Sequence, residues 1–167
     1  MNPLIPPFVA RVRRNHGLEH ATINVLIQRN PNLSLVGRSD WRGYLIMGEI
    51  ETEEIDSAAR EALARLQAGE SDLAIHPRCG TMLATTGVLS GMAAFFALGV
   101  GHSRSRFRWT YLPEALLAAT VAALIAQPLG FLLQQHVTTS GDADHLRIAR
   151  IYKKRGGPIS VHRVETR

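Results

Sequence analysis

Two long stretches without a charged side chain constrain most of what this 167-residue chain can become. From Met82 to Val100 the sequence MLATTGVLSGMAAFFALGV carries no charge, and at helical rise it covers roughly the 30 Å of a bilayer's hydrocarbon core. A second uncharged run extends from Ala115 to Gln135. Its Pro128 and Gly130 would weaken a soluble helix, but a membrane helix tolerates them where neighbours re-satisfy the backbone. A pair of buried helices in a soluble domain is the competing explanation; two such runs in one short chain favour two membrane spans. Trp109 and Tyr111 stand just before the second run, where amphipathic rings prefer the headgroup level. Gly87, Gly91 and Ala94 place small residues on one face of the first span, predicting a close helix approach there.

Neither run has the position or the cleavage pattern of a signal peptide. The connecting loop carries Arg104, Arg106 and Arg108, whereas the outer flanks carry Arg65, Arg78, Arg147, Arg150, Lys153, Lys154 and Arg155. The larger basic total faces the cytoplasm, so both termini are expected on the cytoplasmic side of the inner (plasma) membrane. A net charge of +5 raises the question of nucleic acid. The basic residues cluster beside apolar runs without an RNA-binding motif or interleaved aromatics, so the lipid bilayer is the expected partner and nucleic acid is not. A membrane-protein partner or a second copy of the chain is a further expectation. Cys79 is the single cysteine, which excludes an intramolecular disulfide and fits a reducing compartment.

Ahead of the first span, proline-rich residues 1 to 7 lead into FVARVRRNHGLEHATINVLIQRN, a helix that Asn30-Pro31 stops. LSLVG and GYLIMGEI form a hairpin around a loop of five or so residues, RSDWR. Thr52 caps a second helix from Glu53 to Ala68, whose apolar stripe is Ile55, Ala59, Ala62, Leu63 and Leu66. In the tail, HLRIARIYKK and PISVHRVET flank Arg155-Gly156-Gly157 as a second hairpin. The expected fold is an α+β membrane protein with an αββα domain over 1–81, a transmembrane helical hairpin over 82–135 and a basic C-terminal β-hairpin over 136–167. That last hairpin either extends the sheet begun by residues 33–50 or forms an independent tail.

The segment HGLEH places His16, Glu19 and His20 together on one helix face, along a stripe of Phe8, Val12, Ile23 and Ile27. Ionisable groups on a buried face are costly unless they pair, hydrogen-bond or bind a metal. Two histidines one turn apart can ligate one ion, and Glu19 between them can serve as general base toward a metal-bound water. His76-Pro77-Arg78-Cys79 adds an imidazole and a thiol. His16, His20, His76 and Cys79 together would close a structural zinc site; three ligands and a water would make a catalytic one. Thiolate and imidazole favour zinc over magnesium or calcium. The alternative for Glu19 is an ion pair with Arg13, Arg14, Arg78 or His16. His102, His136, His145 and His162 are expected at the surface.

H-x-x-E-H resembles the inverted-zincin motif of pitrilysin-type metallopeptidases, but over five residues only. Across residues 13 to 90, NHGLEHATI, NLSLVGRS, EALARLQAGE and HPRCGTMLATTG resemble an uncharacterised bacterial family of small membrane proteins, a domain of unknown function. That resemblance implies a membrane protein and no particular activity. The functional expectation is an integral membrane protein with a membrane-proximal zinc site, a metallohydrolase if Glu19 faces an open coordination position. The alternatives are a non-enzymatic scaffold or assembly factor whose His/Glu cluster is a core network and, last, conduction through an oligomer.

Overall fold

The computed structural model describes residues 6–99, 109–157 and 159–167. The proline-rich start over 1–5, His102 and the loop arginines Arg104, Arg106 and Arg108 lie outside the described residues. The chain forms two compact units: residues 1–76 with 135–167, and residues 77–134.

The first unit opens with α1 (Pro7–Arg29). Proline suits the first helical position because its missing N–H would have no partner there. The helix stops where expected: Asn30 is extended (φ −143°, ψ 97°), as the residue before a proline must be. Strands β1 (Val36–Asp40) and β2 (Gly43–Gly48) follow. The connection between them is the two residues Trp41-Arg42, because Arg38 to Asp40 are already paired strand; the longer RSDWR loop is corrected. Helix α2 (Thr52–Gln67) begins with Glu53 and Glu54 in its first turn, where carboxylates complement the helix dipole. The capping position falls on Glu51 and not on Thr52, which is the first residue of the helix. The Thr52 hydroxyl instead bonds the Nδ1 of His162 at 3.2 Å.

After a 3-10 turn at Ser71–Ala74, this unit resumes with β3 (Ile148–Arg155) and β4 (Ser160–Thr166). The four strands form one antiparallel sheet in the order β1-β2-β4-β3. The C-terminal hairpin therefore extends the N-terminal sheet, with Ile46 opposite His162 and Tyr44 opposite Val164. Ile46, Tyr44 and Val164 are buried in one cluster of core side chains with Leu18, Val25 and Leu26 of α1 and Ile55, Ala58 and Ala62 of α2. His162 is also fully buried, not at the surface; His136 and His145 are exposed. Nor does α1 bury a single stripe. It is buried on nearly every side from Asn15 to Leu26, whereas Phe8 is 61% exposed. Gly17 explains the second covered side: a Cβ there would collide with the Ser140 carbonyl oxygen and touch Ala74.

The second unit contains α3 (Gly80–Gly99) and α4 (Leu112–Leu133), which pack together. Two helices, Gly80–Gly99 and Leu112–Thr138 counted with the π-turn that follows α4, are long and apolar enough to cross a membrane. Glu114 lies in the first turn of α4, the favourable end for a negative charge. Gly87 and Gly91 have open space where a Cβ would project. The close approach occurs elsewhere, at Gly130, whose Cα faces the Met82 sulfur. Ser90 also donates to the Ala119 carbonyl at 3.1 Å. The small-residue face read from the first span is therefore not the contact between α3 and α4.

Candidate metal centre

His16 and His20 occupy successive turns of α1, with ring centroids 4.4 Å apart. Each is held through the same atom. The Nδ1 of His16 lies 2.9 Å from the Thr138 carbonyl oxygen, and the Nδ1 of His20 lies 2.8 Å from that of Ala74. A carbonyl only accepts, so each neutral ring must carry its proton on Nδ1 and present Nε2 as the basic nitrogen. Metal-ligating histidines are commonly held this way: one nitrogen donates to a carbonyl, which fixes ring orientation and raises the basicity of the other.

Within the same unit the His76 ring sits 5.9 Å from the His20 ring. The cysteine of the HPRC motif belongs to the second unit. Cys79 is buried, and its sulfur accepts a hydrogen bond from the Thr81 N–H at 3.4 Å. Its own carbonyl accepts from the N–H groups of Met82 and Leu83, so the sulfur stands at a helix start, where negative charge is favoured.

His76 is buried beside His20. Glu19, also buried, packs its carboxylate against β1: a Cβ on Gly37 would collide with Glu19 Oε1. Its charge helps hold the buried Tyr44 phenol un-ionised, though burial of that phenol is the larger cause. Arg13 and Arg14, candidates to pair with Glu19, are engaged elsewhere. Arg13 donates to the carbonyls of His136 (2.8 Å) and Thr139 (3.0 and 3.2 Å), and Arg14 pairs with Asp142 at 3.2 Å.

Sequence reasoning missed the carbonyls of Ala74 and Thr138, which hold the two rings. One signal for the second was present: a glycine inside a helix costs about 1 kcal/mol relative to alanine, and Gly17 marks the place where residues 138–140 come against α1.

No solved structure matches the chain. It is similar to an uncharacterized protein of Picosynechococcus sp., 35% identical over 138 residues that cover 77% of this chain and 66% of that protein. The chain thus spans just under two thirds of that relative's length. A family model described as a domain of unknown function, DUF6391, matches residues 11–151, and the motifs HGLEH and HPRC both fall inside that match; the chain belongs to the DUF6391 family.

Proposed function

We propose that this protein is a membrane-anchored metal-binding protein, with zinc as its ion, His16 and His20 as two of its ligands and Cys79, from the sequence motif HPRC, as a third. One observation carries the proposal: two imidazoles stand on successive turns of α1 with ring centroids 4.4 Å apart, and a backbone carbonyl holds Nδ1 of each. Tetrahedral zinc, with bonds of about 2.0–2.3 Å, sets its ligand atoms roughly 3.4–3.7 Å apart. Two imidazoles one helical turn apart can meet that spacing through a single ion.

The fourth position decides the chemistry. With His76 in it the site is closed and structural; with water in it the site is open. Glu19 would then act as general base in hydrolysing a peptide or another membrane-proximal substrate. The two long apolar helices anchor the protein in the inner membrane, with the basic flanks on the cytoplasmic side against anionic lipid.

Elemental analysis of the detergent-purified chain tests the metal directly. About one equivalent of zinc is expected, lost in both His16→Ala and Cys79→Ala. A metal-free protein that stays folded would overturn the proposal. It would leave the scaffold alternative, because carbonyls already satisfy Nδ1 of both histidines without an ion.

A further inference from the structure

Residues 136–140 bind α1 at the turn that carries His16, and they do so through four kinds of contact. Arg13 donates three hydrogen bonds, one to the His136 carbonyl and two to that of Thr139. The Ser140 N–H donates back to the Arg13 carbonyl at 3.0 Å. The Ser140 carbonyl oxygen packs where a Cβ of residue 17 would stand. The Thr138 carbonyl, between these anchors, meets the His16 ring nitrogen at 2.9 Å. Thr139 is 1% exposed, and the bonds from Arg13 to its carbonyl are partly buried, whereas the bond to the His136 carbonyl is exposed.

We propose that this segment is a strap that sets the metal-binding nitrogen of His16, with Arg13 and Gly17 as positioning residues. Arg13 holds the strap at its carbonyls on either side of Thr138. Gly17 lets the strap approach closely enough for the Thr138 carbonyl to take the His16 Nδ1 proton into a hydrogen bond. With the strap displaced, the ring loses the carbonyl that keeps its proton on Nδ1, so a fraction of the protein carries that proton on Nε2 and presents no donor there. This inference rests on His16 being a metal ligand.

The test uses the full chain in detergent, with cobalt(II) as a spectroscopic probe and with nitrogen NMR of the histidine rings in the metal-free protein. In the native chain the His16 ring is expected to be protonated on Nδ1. Gly17→Ala, which wedges the strap away, and Arg13→Gln, which releases it without adding bulk, should both blur that preference. Both should also weaken cobalt affinity 10- to 100-fold at unchanged stoichiometry. Native affinity and native ring protonation in both variants would overturn the strap and leave the metal site standing. Failure of the native chain to bind cobalt would overturn the metal site itself, and with it the strap's role, before any variant is made. Should Gly17→Ala misfold, Arg13→Gln alone decides between these outcomes.

Discussion

His162 shows how one side chain changes meaning once its strand is paired. It lies fully buried between Ile46 of β2 and Lys153 of β3, with Nδ1 bonded to Thr52 Oγ1. Burial and the Lys153 charge push its pKa below the ordinary 6.5, against weaker opposing effects of the Ile50 backbone, Glu51 and Glu53. The unfolded chain keeps the ordinary value, so as pH falls it takes up the proton first. Stability is therefore greatest above the unfolded pKa and declines as pH falls through about 6.5 toward the folded value. Urea unfolding should show that decline between about pH 7.5 and pH 5.5, and His162→Asn should make it shallower. An equal decline in the variant would show that His162 does not set it. Nothing near His162 in the sequence announced its burial, since PISVHRVET reads equally as a free hairpin arm. The pairing with β2 alone places it.

Among the elements, the β1–β2 hairpin depends on a single backbone conformation. Gly43 ends the two-residue turn with φ +139°, a region that side chains rarely adopt, and a Cβ there would also collide with the Val164 carbonyl on the neighbouring strand. Gly43→Ala should therefore destabilise the protein by about 1–3 kcal/mol, read as a lower urea midpoint at unchanged slope; a native midpoint would show that the turn can relax. The same turn explains why the hairpin's existence was legible and its loop length was not. Alternating apolar residues announce strands, but Arg38, Ser39 and Asp40 look like loop and become strand because Asp40 pairs with Arg163 of β4 at 2.6–2.7 Å. That guanidinium also holds the Asp40 carboxyl below the ordinary carboxylate range. The α1 boundaries were legible for the opposite reason, since proline geometry acts on immediate neighbours.

At the scale of the whole molecule, the sheet is assembled from strands on both sides of the apolar pair in sequence. β2 bonds β1 on one edge and β4 on the other, and Val164 is part of the same buried cluster as Tyr44 and Ile46. A chain ending before β3 should lose the fold of the first unit, seen as rapid proteolysis of residues 6–76 in detergent; resistance equal to that of the full chain would show that the αββα segment stands alone. The sequence by itself determined the two long apolar helices, the limits of α1 and the presence of α2 and both hairpins. All of these follow from local hydrophobicity, periodicity and proline stereochemistry. Only the tertiary structure decided the sheet order, the burial of His162, the direction of the Glu19 carboxylate and the carbonyls that hold His16 and His20. These depend on residues far apart in the chain, His20 with Ala74 and His16 with Thr138, separated by 54 and 122 positions. Such contacts form only when the packed core brings distant backbone into hydrogen-bonding range, and no local pattern encodes them.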